Sequence, residues 1–188
     1  MVYPIYVYGH PVLRKKAFDI DKDYDDLEQL IKDLFETMYR SEGIGLAGPQ
    51  IGKSLRVFVV DGSAASEDEP ELTDFKKVFI NAYITERTGE KVIMNEGCLS
   101  IPKLREDVYR ESTIRIKYYD ENWEYHDEVM EGFKARIIQH EYDHLDGIMF
   151  TDKVSPIRKQ LLRAKLAAIS KGKFEADYKT ILPNKRPR

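Results

Sequence analysis

The stretch Gln139-His140-Glu141-Tyr142-Asp143-His144 sets two imidazoles four residues apart, with a carboxylate directly after the first. On a helix, residues four apart lie one turn apart on the same face, so His140 and His144 aim at one point. At about 100° per residue, Glu141 lies about 60° from His144 around the axis. It can reach a water in front of the imidazoles without being a ligand. Two nitrogen donors and a nearby carboxylate base are the parts of a hydrolytic metal site. Phe133 and Ile137 lie on the same side, so this face enters apolar surroundings. Imidazoles and a carboxylate buried there without partners would be costly. The same five letters also occur on ordinary solvated helices, so a third ligand has to decide.

The longer pattern HExxHxxGxxH matches at Gly147, but its last position is Phe150, and a phenyl ring cannot bind a metal. Asp152 follows very soon, and Glu175 and Asp177 lie beyond a separate helix. The remaining soft donor is Cys98, the chain's single cysteine, within Asn95-Glu96-Gly97-Cys98-Leu99-Ser100-Ile101-Pro102. A lone cysteine is often just a small buried hydrophobe. Here, however, Gly97 precedes it and permits close backbone approach, at a point where a strand ends. A thiolate with two imidazoles leaves a fourth position for water, as catalytic centres require. A metal also keeps the thiol ionised. Ligand type alone points to zinc.

A glycine-rich turn, GIGLAGPQIG at 43–52, is the second chemical candidate. It lacks GxxxxGK[ST] and follows a helix rather than a strand, so it is not a phosphate loop. One reading is a plain turn with Gln50 as a surface amide. The other is a tight segment beside a substrate, with the Gln50 amide donating to a developing oxyanion.

The elements that must position these groups are legible in outline. Leu27, Leu30, Ile31, Leu34, Phe35 and Met38 make one apolar stripe and predict a helix that stops at Gly43. Leu55–Asp61 reads as a strand and Gly62–Asp74 as an acidic loop. Strand-like runs follow at Val78–Ile84 and Lys91–Met94. Ser112–Asp120 alternates Ile114, Ile116 and Tyr118 on one face. Glu121–Trp123 is a turn, with Glu124–Met130 as the returning strand. The motif helix starts near Glu131 and closes at Gly147. A last helix takes Ser155 as N-cap and Pro156 as its first residue, carries an apolar seam of Ile157, Leu161, Ala164 and Ala168, and ends at Gly172. Strands precede the motif helix without regular alternation. That order predicts an α+β fold, mainly antiparallel sheets packed around a central HExxH helix, with a C-terminal helix.

Three segments in this order, GIGLAGPQ at 43–50, EGCLS at 96–100 and QHEYDHLDG at 139–147, resemble peptide deformylases. The opening HPVLRKKA is similar to that family's first segment, and the likeness runs from about His10 to about Asp152. The resemblance implies hydrolysis of the N-formyl group of nascent formyl-methionyl polypeptides. It implies Cys98, His140 and His144 as metal ligands and Glu141 as the catalytic glutamate. Gln50 and the Leu99 backbone N–H would be oxyanion donors. Ile44 and Gly45 would be the strand-like edge that aligns the substrate, with Gly97 beside Cys98 and Arg105 assisting. Phe133 and Ile137 would wall the methionine pocket. The metal it implies is ferrous iron (Fe2+), with zinc (Zn2+) or nickel (Ni2+) also accepted. Gly48 departs from the family's usual alanine, which would loosen the turn. The basic helix after Ser155 is similar to one that docks some relatives on the ribosome; it also reads as an ordinary amphipathic helix with a wet basic face. A zinc peptidase of broader specificity and a ribosome-binding protein with a structural metal are the competing readings.

The chain has 188 residues, which suits one catalytic domain (1–188, core about 3–152, extension 155–188). A net charge of -3 gives no global basic field, so DNA is not an expected partner. The basic tail Asn184–Arg188 reads as a solvated end. No apolar run is long enough to span a membrane, and the opening segment lacks signal-peptide features, so a cytoplasmic location is expected. A single cysteine agrees with a reducing compartment.

Overall fold

The structure, a computed structural model, describes residues 1–183; the tail Asn184–Arg188 lies outside the described residues. A two-residue strand, β1 (Ile5–Tyr6), opens the chain. The first apolar stripe winds into α1 (Leu27–Arg40), burying Leu27, Leu30, Ile31, Leu34 and Met38 and half-burying Phe35. The residue that turns the chain out of this helix is Glu42, left-handed at φ 57°, rather than Gly43.

Five strands then form one antiparallel sheet in the order β2 (Gly45–Ala47), β3 (Val57–Asp61), β4 (Lys76–Cys98), β5 (Ile101–Tyr119) and β6 (Tyr125–Glu131). The pleat's period of two explains why β3 is apolar on both faces. Val57 and Val59 pack with Leu34 and Met38 of α1, while Phe58 and Val60 pack on the opposite side with Ile138 and Tyr142. The sheet is therefore covered twice, by α1 on one face and by the motif helix, α2 (Gly132–Leu145), on the other.

Two strands are longer than the sequence predicts. The runs at Val78–Ile84 and Lys91–Met94 belong to one strand, β4, joined through an exposed charged stretch at 85–90. That stretch has no apolar alternation; pairing with β5 keeps it extended, with register irregularities on both sides. The inward row of the first half of β5 is Leu104, Glu106, Val108 and Arg110, all buried. Two of these are charged, which hides the pattern from a hydrophobicity reading. Ile114, Ile116 and Tyr118 form the buried face expected of the second half.

The motif helix begins after Glu131 and closes at Gly147, left-handed at φ 72°. In α3 (Pro156–Ser170) the Ser155 hydroxyl accepts from the Arg158 N–H at 3.3 Å, as an N-cap should. The expected seam is not the buried one. Ile157 and Leu161 are 73% and 63% exposed, and the helix docks through Leu162, Leu166 and Ile169 instead. The two rows lie side by side on the helix; contact with Leu104, Met149, Phe150 and Val154 selects the second. After Gly172 the chain returns to β7 (Thr180–Ile181), which pairs in parallel with β1. Among the described residues, no helix is long and apolar enough to cross a membrane.

Candidate metal and catalytic site

The inner face of α2 meets the end of β4. Cys98 closes β4 and pairs with Ile101, so Leu99 and Ser100 form a two-residue turn. The ligand atoms of Cys98, His140 and His144 all lie within 4.8 Å of one another. The Cys98 Sγ is 3.3 Å from His144 Nε2. The upstream sulfur and the two helical imidazoles therefore converge, although Cys98 and His140 stand 42 positions apart, with strands β5 and β6 between them along the chain.

Each imidazole sits in a different field. His140 Nδ1 lies 2.9 Å from Glu96 Oε2, which leaves Nε2 for the cluster. Burial works to lower the His140 pKa, but the Cys98 and Glu96 partners outweigh it and hold it well above the ordinary value. Burial, then the neighbouring His140, drives His144 well below its ordinary value, toward the neutral form a metal needs. Glu141 is buried, and its Oε2 has no hydrogen-bond partner. Burial pushes its carboxyl up to about 7. An unpartnered carboxylate oxygen beside a thiol and two imidazoles is costly on its own terms. It fits a site built for a divalent ion and a water, and the Cys/His/His donors suit zinc, iron or nickel.

Glu96 is the functional residue that motif reading passed over. It takes two hydrogen bonds from Arg110, at 2.6 and 2.9 Å, and one from Arg136 at 2.7 Å. Arg110 in turn reaches Asp143 at 2.6 Å. Burial alone would raise the Glu96 carboxyl; Arg110, then His140, override it and keep it ionised far below the usual range. The local signal was present, because Glu96 stands two residues before Cys98, but nothing in the sequence shows that it faces Arg110 and His140. Glu96→Ala takes the shared carboxylate from two buried guanidinium groups, leaving Arg110 only Asp143 and Arg136 only backbone carbonyls, and we expect a loss of about 3–5 kcal/mol in chemical denaturation. Metal affinity should fall about 10–100-fold as His140 loses its orienting partner.

Gln50 is 1% exposed, so it is not a surface amide. Its Oε1 accepts from the Ala47 N–H at 2.8 Å, and its Nε2 points at Ser100 Oγ (3.3 Å) and Cys98 Sγ (3.5 Å). The amide is thereby oriented with its donor toward the cluster. Gly48 does not loosen this turn. A Cβ there would stand 2.8 Å from the Leu55 carbonyl oxygen, so glycine is what lets the two backbones approach. Gly45 has an equally direct reason, since a Cβ would fall 2.5 Å from Glu141 Oε1. Gly45→Ala must push the glutamate aside, and we expect about a 100-fold drop in kcat/KM with normal metal content. Steady-state kinetics beside metal analysis checks this.

A cleft of about 470 Å³ opens in front of these groups. Ile44, Gly45, Gly97, Phe133 and Ile137 line it, with Arg105 at its rim. Arg105 is exposed and is held by Asn95, through Nε to the side-chain oxygen at 2.8 Å and Nη2 to the backbone carbonyl at 2.9 Å. Among the described residues β2 pairs with β3 alone and forms the edge of the sheet, and its Gly45 lines the cleft.

An antiparallel α+β fold, a buried HExxH helix and a convergent Cys/His/His donor set define the class of hydrolases with a candidate metal centre. The sequence model of polypeptide deformylase matches residues 2–160. A peptide deformylase of Christiangramia forsetii is 53% identical, covering 98% of this chain and 97% of its own. One from Cytophaga hutchinsonii is 47% identical, covering 99% and 100%. The crystal structure of peptide deformylase from Thermus thermophilus superposes with a TM-score of 0.80 at 42% identity, over 92% of this chain and 98% of that one. The chain belongs to the polypeptide deformylase family.

Proposed function

We propose that this enzyme removes the formyl group from the N-terminal formyl-methionine of newly synthesised proteins and releases formate. The observation that carries the reading is Glu141: a buried carboxylate with an unpartnered oxygen, beside three convergent donors, lining the same cleft as Phe133 and Ile137. Cys98, His140 and His144 would hold one divalent ion, Fe2+ in the cell, with Zn2+ or Ni2+ able to replace it. Bound there, the ion would supply Lewis acidity, acidifying a water and polarising the formyl carbonyl. Glu141 takes the water's proton and returns it to the amide nitrogen as that nitrogen leaves. The Gln50 Nε2 and the Leu99 N–H donate to the carbonyl oxygen as it gains charge. Ile44 and Gly45 align the peptide backbone along the β2 edge, with Arg105 assisting at the rim. Phe133 and Ile137 wall the methionine side chain.

The nascent chain is the natural partner, and a cytoplasmic location goes with it. The exposed Ile157 and Leu161, beside exposed Lys159, Arg163 and Lys165 on α3, support ribosome docking through this helix. The deciding experiment measures formate from a formyl-methionyl peptide on anaerobically purified, metal-analysed protein. The same peptide carrying an acetyl cap and an unblocked peptide with internal bonds serve as controls. Formate from the first peptide, with no acetate from the second and no cleavage of the third, is the expected result. Cleavage of internal bonds instead would mark a peptidase of broader specificity.

A further inference from the structure

The turn that carries Cys98 and Leu99 has a bonding problem. In a two-residue hairpin turn the carbonyls of both central residues point away from the ladder, and where the turn is buried they need donors from elsewhere. Here those residues are Leu99 and Ser100. The Tyr178 hydroxyl donates to the Leu99 carbonyl at 2.7 Å. The Tyr8 N–H donates to the Ser100 carbonyl at 2.8 Å. One donor comes from each end of the chain, and those ends are tied together. Ile5 N–H donates to the Lys179 carbonyl at 2.8 Å and Val7 N–H to the Ile181 carbonyl at 3.0 Å, across the parallel β1–β7 pair. Tyr178 also packs against the same apolar cluster as Leu99 and lines the cleft. The segment that brings it lies beyond residues 2–160, the stretch that the family's sequence model matches.

We propose that Tyr178 is a positioning residue for the reaction, and that the strap carrying it, 173–181, is a working part of the active site. It completes a clasp, closed by β1 and β7, that holds the Leu99–Ser100 turn in one orientation. Pinning the Leu99 carbonyl limits rotation of the residue whose N–H faces the reacting oxygen. A donor held before the reaction starts costs no reorganisation when charge develops. This inference rests on the assignment of the Leu99 N–H as an oxyanion donor.

Tyr178→Phe removes the hydroxyl and keeps the ring. Three readings are taken on the metal-loaded, full-length protein: amide hydrogen exchange at Leu99 and Ser100, kcat and KM for a formyl-methionyl peptide, and metal content. Exchange at these two amides should rise about tenfold, with that of Ile137 and Ile138 unchanged. kcat should fall about tenfold, KM stay within about twofold, and the metal stay bound, because the loosened donor acts on the transition state. Wild-type exchange and kcat together would overturn the proposal. So would exchange that rises uniformly across α2 and β5, which would mean a merely structural contact. Tyr178→Leu, which also lacks the hydroxyl, repeats the readings if the phenylalanine variant does not fold. Should the wild-type enzyme itself release no formate, the functional reading fails, and the exchange measurement still decides the clasp.

Discussion

Glu141→Ala loses nearly all turnover and keeps its metal. The expected drop in kcat is about 10⁴-fold, the upper end of what a positioned acid–base group contributes. The carboxylate touches none of the ligand side chains by hydrogen bond, so removing it leaves Cys98, His140 and His144 convergent. Its pH behaviour follows from burial. Glu141 works as a base only when ionised, so the rate rises with pH along an acid limb. The carboxyl stands at about 7 without an ion beside it. A divalent cation pulls that value down, so the limb of the loaded enzyme lies below about pH 7. The metal-free protein gives an independent check. A carboxyl raised in the folded state from its ordinary 4.5 contributes stability that is complete below that value and lost as pH rises through about 7. Glu141→Gln removes this dependence, so the metal-free variant should melt above the metal-free wild type near about pH 8 and lose that advantage near about pH 4. Equal melting differences at both pH values would refute the burial of a charged glutamate. Full turnover in Glu141→Ala would remove it from the mechanism.

Cys98→Ala separates the metal from the base. Two imidazoles alone hold a divalent ion far less tightly than two imidazoles and a thiolate. Affinity should fall by more than about 100-fold, the cost associated with losing even an outer-shell partner. Deformylation should fall with it and recover only partly in excess metal. The measurement is metal content after dialysis against a weak chelator, paired with formate release. Normal content with full activity would dismiss the thiolate as a ligand and leave Cys98 as a small buried hydrophobe. The two variants together make a diagnostic pair: one empties the site, the other leaves it filled and idle.

The surroundings of these groups explain why they were partly hidden. Glu96, Arg110, Arg136 and Asp143 form a buried ionic network around His140. In a chain with 34% charged residues, four more charges carry no signal of burial. Only their mutual contacts make burial tolerable, and such contacts are pairwise and long-range. The seam of α3 failed for a related reason. Two apolar rows were available on one helix, and the choice between them belonged to Leu104, Met149 and Phe150.

From its own letters the chain determined the stripe of α1, the caps of α2 and α3, the alternation in β5 after Ser112, and the one-turn spacing of His140, Glu141 and His144. These are local periodicities, and a backbone of fixed pitch converts spacing into direction. Tertiary structure alone decided that β4 is a single strand, that Glu96 orients His140, and that both ends of the chain fasten the Leu99–Ser100 turn. Those outcomes depend on which distant groups meet, and hydrogen bonds and charges reach only a few ångströms, so distance in space counts where distance in sequence does not.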